Sequence, residues 1–251
     1  MIAVKHAGDL GDIIYSLPIA RTLAHGQPIA FLIEAVTYTR QQLFPPNWCG
    51  IDLLLLEQPY IQDVRMYHPG EPINYNLNDF RARLFQSLKV GIGKDKHLGH
   101  WMCDAHGTPY ECMDPPWLTV KEPIQAARVV FARAGAGRPA HQVYTNAAFP
   151  WHYVWEKYHK DAVFVGTEME HEHFCGTCGR VSHYKTKDLH EAARVIAGCE
   201  LFVGNQTATH AIAEGLKKKI VLEVWTGGPN CIIHRPGVVH GWDQWVKLPE
   251  L

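Results

Sequence analysis

Twice along the chain a short apolar run enters a glycine-bearing turn that opens an apolar helical stretch, and this unit constrains the fold most. The first consists of the run 2–4, the turn His6-Ala7-Gly8-Asp9-Leu10-Gly11-Asp12 and a helix over 13–24. The second consists of the run 201–203, the turn Gly204-Asn205-Gln206-Thr207 and a helix over 207–216. Strands that alternate with helices return to one sheet by crossovers, which makes the sheet parallel and covers both its faces. Further strands are expected at 28–34, 51–56, 129–132, 162–165, 181–184 and 220–224. Helices are expected at 38–44, 77–88, 150–159, 168–174 and 187–197, the second from the spacing of Phe80, Leu84, Phe85 and Leu88. The alternation weakens over 58–117 and restarts past Pro115-Pro116 and Pro123, so two α/β domains are expected, 1–122 and 123–251.

Charge narrows the partners. A formal net charge of −1 leaves no global basic field for nonspecific binding to nucleic acid. No apolar run approaches the ~20 residues of a membrane span. The opening MIAVKHAGDL lacks a basic, then long apolar, export signal, and the cysteine count is odd at 7. Free thiols in a cytoplasmic location are therefore expected.

Glycines directly after a strand let a ligand approach a helix N-terminus, where backbone N–H groups favour anions. The spacing Gly8-x-x-Gly11 is not a dinucleotide fingerprint, and no Lys-Ser/Thr pair follows to make a P-loop. Asp12 instead brings a carboxylate to the carboxyl end of a strand, where it is placed to accept a proton from a hydroxyl. The plainer account is that Asp9 or Asp12 caps the helix, and spacing alone favours it. At the second turn the backbone is suited to a diphosphate, while Gly204-Asn205 making the turn and Thr207 capping the helix is the plainer account. His171-x-His173-x-Cys175-x-x-Cys178 holds side chains that zinc uses, but the spacing is short and a helix is expected to run through 168–174. A polar helix end and a cysteine-bearing turn are preferred, and no metal is expected. Trp225, Trp242 and Trp245 are read as packing or rim residues, and Pro229-Asn230-Cys231 as a turn.

Taken in order, three motifs resemble the heptosyltransferase-type glycosyltransferases. These are Gly11-Asp12-Ile13-Ile14-Tyr15-Ser16-Leu17-Pro18; Gly166-Thr167-Glu168-Met169-Glu170 after an apolar strand; and Val203-Gly204-Asn205-Gln206-Thr207-Ala208-Thr209-His210. The resemblance implies an α/β fold of the GT-B kind, with two Rossmann-like domains whose parallel sheets face across a cleft. It implies a nucleotide-diphosphate sugar as donor substrate, no required cofactor, and inverting, metal-independent transfer. Asp12 is then the base, with Asp9 and Gly11 beside the acceptor. Glu170 holds the donor ribose next to Glu168, and Gly204, Asn205, Gln206, Thr207 and His210 surround the diphosphate. Arg133, Arg138 and Thr145 lie in a stretch that contacts phosphates in that family. The acceptor is expected to be either a glycan such as lipopolysaccharide core or a hydroxylated base in DNA. Gln206 stands where the family has Asp, and Ala208 where it has a second glycine; a non-catalytic nucleotide-binding module is the alternative reading.

Overall fold

Every strand pairing in the computed structural model is parallel. The structure describes residues 1–7, 9–34, 49–89, 93, 95–135, 144–228, 230–241 and 248–251. Gly8, the helix expected at 38–44, Arg138, Pro229, Trp242 and Trp245 lie outside the described residues.

The first half contains β1 (Ile2–His6), α1 (Leu10–Leu23), β2 (Ile29–Ile33), α2 (Ile51–Leu56), β3 (Ile61–Met66), β4 (Tyr75–Asn76), α3 (Phe80–Lys89) and α4 (Leu98–His106). Its sheet has the order β3-β2-β1-β4. The second half contains β5 (Val129–Ala132), α5 (Trp151–Tyr158), β6 (Ala162–Phe164), α6 (Glu168–Thr177), β7 (Ser182–His183) and α7 (Leu189–Gly198). It continues with β8 (Leu201–Asn205), α8 (Ala208–Gly215), β9 (Lys219–Glu223) and β10 (Val238–His240), in a sheet of order β10-β9-β8-β5-β6-β7.

Side chains alternate across a strand, and in β5 both sets are buried. Val129 and Phe131 join a core with Trp151, Phe164 and Phe174, whereas Val130 and Ala132 join one with Ile196, Ala211 and Ile212. The second core continues without a break into Ile13, Leu17, Val4 and Phe31 of the first half. This explains why α1 is buried from Ile13 through Ala20. A helix apolar all round has elements on every side, and here they include α8, α4 and the 3-10 turn Tyr110–Met113.

One expected strand is a helix. Residues 51–56 form α2, in which Ile51, Leu54 and Leu55 are buried while Leu53 and Leu56 remain 44% and 46% exposed. That spacing is one face of a helix, and a run of six apolar residues is too short for periodicity to tell the two apart. The third strand of the first sheet is β3, whose sequence IQDVRM carries polar residues because it lies on the sheet edge.

Candidate active site

The first turn puts Asp12 in the opening turn of α1. Asp9 takes the extended N-cap conformation, but its side chain makes no capping hydrogen bond. Asp12 does not cap either; its carboxylate accepts from the Arg81 guanidinium at the start of α3. The plainer reading of these two aspartates as caps is thereby corrected. The fold supplies the partner in steps. β4 pairs with β1 at Val4↔Tyr75 and Lys5↔Asn76, Leu77 N–H donates to Lys5 O at 2.8 Å, and α3 then begins beside the end of β1. Burial raises the Asp12 carboxyl above its ordinary value; Arg81 opposes the rise and Asp9 adds to it. A carboxylate with a raised affinity for protons is a better base than an exposed one.

At the second turn Gly204 is required by space. A Cβ there would come within 2.5 Å of Ala132 O and 2.7 Å of the Phe202 ring. Asn205, fully buried, accepts from Ala134 N–H at 3.0 Å and donates to Ala134 O at 2.7 Å and Tyr144 O at 3.1 Å. Gln206 donates to Gly228 O at 3.0 Å and Asn230 Oδ1 at 3.1 Å, and accepts from Trp225 N–H at 2.6 Å. Both amides therefore tie this turn to neighbouring loops. An aspartate at 206 has no N–H to give Gly228, which accounts physically for Gln at this position.

Thr207 occupies the N-cap of α8 without a side-chain capping bond; its hydroxyl donates to Asn205 O at 3.3 Å and lies 2.8 Å from Thr209 Oγ1. The expected cap is absent here too. The first N–H groups of α8 have no acceptor inside the helix, so they point to whatever occupies this end. The two turns meet at this point. A Cβ on Gly11 would stand 3.7 Å from both Ala208 Cα and Ala208 N, so the start of α1 lies against the start of α8.

His210, in the first turn of α8, reaches across to α1, where its Nδ1 lies 2.8 Å from Tyr15 Oη. Burial depresses the His210 imidazole to about 4 and lifts the Tyr15 phenol well above its ordinary value, so the bridge joins two neutral groups. His97 meets the Tyr15 ring edge-on with centroids 4.7 Å apart.

The other expected donor residues are spread over the second half. Arg133 comes directly after β5 and forms a two-point ion pair with Glu223, at 2.8 and 3.0 Å. Glu223 also accepts from Asn146 N–H at 2.7 Å and Trp151 Nε1–H at 2.8 Å. Thr145 is partly exposed between Tyr144 and Asn146, which these contacts hold. Glu170 closes a capping box: its carboxylate accepts from Thr167 N–H at 3.0 Å and its own N–H donates to Thr167 Oγ1 at 3.2 Å. Glu168 is exposed and pairs with Lys185 at 2.6 Å. In the histidine and cysteine segment, Cys175 Sγ lies 3.3 Å from His171 Nε2, His171 stacks on His183, and Cys178 turns into the core around Phe174. Among the described residues no group of three or more His, Cys, Asp or Glu side chains is arranged to hold a metal. Among them also, no helix is long and apolar enough to cross a membrane.

Arg81 and Glu223 lie outside the three motifs, and Tyr15 lies inside the first of them with no role read for it. Arg81 is far from Asp12 in sequence and gives no local sign. Glu223 had one, a lone acid ending an apolar strand.

No family model matches the chain, and no curated protein sequence does either. Solved structures do. A family 9 glycosyl transferase from Veillonella parvula superposes with a TM-score of 0.60 and 12% identity, over 97% of this chain and 86% of that one. The E. coli heptosyltransferase WaaC with ADP-2-deoxy-2-fluoro heptose does so with 0.55 and 10%, over 95% and 92%. The E. coli ADP-heptose lps heptosyltransferase II does so with 0.55 and 16%, over 96% and 90%. The expectation drawn from the three motifs holds at the level of architecture: this chain has the GT-B fold that those structures share.

Proposed function

We propose that the protein is a glycosyltransferase that moves a sugar from a nucleotide-diphosphate donor to an acceptor hydroxyl, in one inverting step and without a metal ion. One observation carries the reading: the helix start that bears Asp12 lies against the helix start of α8, Gly11 on Ala208. Residues 1–122 then serve the acceptor, with Asp9 and Gly11 nearest to it, and 123–251 serve the donor. The acceptor hydroxyl gives its proton to Asp12 as its oxygen bonds to the anomeric carbon. The bond from that carbon to the diphosphate breaks, and the nucleoside diphosphate leaves with the electron pair. Attack and departure on opposite sides invert the centre. The N–H groups of α8 receive the charge that develops on the leaving oxygen. Glu170 lies beside the ribose, and the Arg133–Glu223 pair and Thr145 border the donor.

The named ligand of WaaC supports an ADP-sugar as donor class. The lipopolysaccharide in the name of heptosyltransferase II supports a glycan acceptor, and the net charge of −1 supports it over a base in DNA. The test is a panel of nucleotide sugars read by thermal shift and by release of the nucleotide. An ADP-sugar is expected to raise the melting temperature and to be consumed with a glycan acceptor, unaffected by excess chelator. Asp12→Ala is expected to reduce transfer by about a thousandfold with nucleotide binding retained. Full transfer by that variant removes Asp12 from the role of base, and binding without turnover on any acceptor makes the chain a nucleotide-binding module.

A further inference from the structure

Asp12 faces a small set of charged and titratable groups. Asp9 stands at the N-cap of the same helix, Tyr15 lies one turn further along α1 and Cys231 approaches from the segment after β9, while His6, which ends the preceding strand, lies near Arg81. Burial holds Tyr15 and Cys231 protonated, the thiol at about 12, and holds His6 neutral. None of them offsets the charge of a buried carboxylate, and Asp9 makes it worse. Arg81 is the cation set against it, with side chains 21% and 15% exposed at the Arg81–Asp12 contact. The guanidinium is itself fixed at the start of α3, where its Nε donates to Asn78 Oδ1 at 3.4 Å and Phe80 beside it is buried.

We infer that Arg81 is a positioning residue that keeps the Asp12 carboxylate ionised and oriented at the start of α1, so that the base works at neutral pH. This rests on the reading of Asp12 as the base. The physical reason is a balance of two effects on one carboxyl. Removal from water favours the protonated acid, and an opposite charge in contact favours the anion. The first effect wins by a margin that leaves Asp12 more basic than an exposed carboxylate. Without the guanidinium the margin widens, the acid form persists to higher pH, and a protonated Asp12 can no longer take the proton of the acceptor hydroxyl. Arg81 acts through Asp12 and needs no contact with either substrate.

The experiment is a titration of the Asp12 side-chain carboxyl by carbon-13 NMR in the full chain, assigned with Asp12→Asn, for the wild type, Arg81→Met and Arg81→Lys. A thermal melt of each variant establishes that it is folded. The midpoint of Asp12 is expected to rise by about one to three pH units in Arg81→Met, the range for losing an adjacent opposite charge. Arg81→Lys, which keeps the charge, is expected to recover at least half of the shift. An unchanged midpoint in folded Arg81→Met overturns the inference whatever the enzyme does. With a donor and acceptor from the panel above, the acid limb of the kcat profile is expected to move up by the same amount in Arg81→Met, with KM for the nucleotide sugar unchanged. A uniform loss of rate without displacement of that limb overturns it as well, since a residue that only braces the fold behaves that way. If the midpoint moves while Asp12→Asn transfers sugar at the wild-type rate, Arg81 still controls the carboxylate and the reading of Asp12 as base is what fails.

Discussion

At the β1–α1 turn the acidic side chain leaves the turn and meets Arg81 from another element. At the β8–α8 turn Asn205, Gln206 and Thr207 bond to Ala134, Tyr144, Gly228, Asn230, Trp225 and Thr209. The two segments share one sequence shape and divide the tasks of a site between them. The first presents a side chain able to hold a proton. The second spends its side chains on shape and leaves its helix N–H groups to the diphosphate of the proposed donor. Variants of the second turn should therefore act on stability, and variants of the first on chemistry.

Acid tests both turns at once and has the largest expected effect. His6 before the first turn, His210 in α8 and His97 between them are buried and held neutral, each depressed by burial first. The unfolded chain binds protons to these rings near pH 6.5 and the folded chain does not, so stability is full above that pH and is lost as pH falls toward 4. His210 alone is expected to cost about 3 kcal/mol across this window, read as the fall in the urea midpoint between pH 7.5 and 4.5. A flat midpoint over that range contradicts the burial of the three rings.

Asn205→Ala is next. It strands the Ala134 N–H and two carbonyls at the base of the second turn and is expected to lower stability by about 2 kcal/mol in urea unfolding. Gln206→Asp is smallest, about 1 kcal/mol: it removes the donor to Gly228 and sets a carboxylate beside Asn230 Oδ1. It installs the residue of the resembled family, and no gain in transfer is expected, because the structural demand at this position is for an N–H. A stable and faster Gln206→Asp enzyme reverses the division of tasks between the turns.

Much of this arrangement was legible because strand, glycine and helix are local events. The two turns and the alternation all lie within a few residues. What was not legible depends on distance. The Arg81 contact exists because β4 joins the first sheet, and a strand of two residues leaves no periodicity to read. The same holds for β10, and for 51–56, where six apolar residues fit either a strand or a short helix. Capping misled for a related reason: Asp9 and Thr207 are good caps by type, yet neither side chain makes the bond.

The central claim is that a nucleoside diphosphate sits at the start of α8, facing Asp12. Amide proton and nitrogen NMR shifts on adding ADP to the wild-type protein test it most directly. The account predicts that the largest shifts fall on Ala208, Thr209 and His210, with smaller ones at Gly11 and Asp12. Saturable binding whose largest shifts lie elsewhere, or no shift at millimolar ADP, contradicts it.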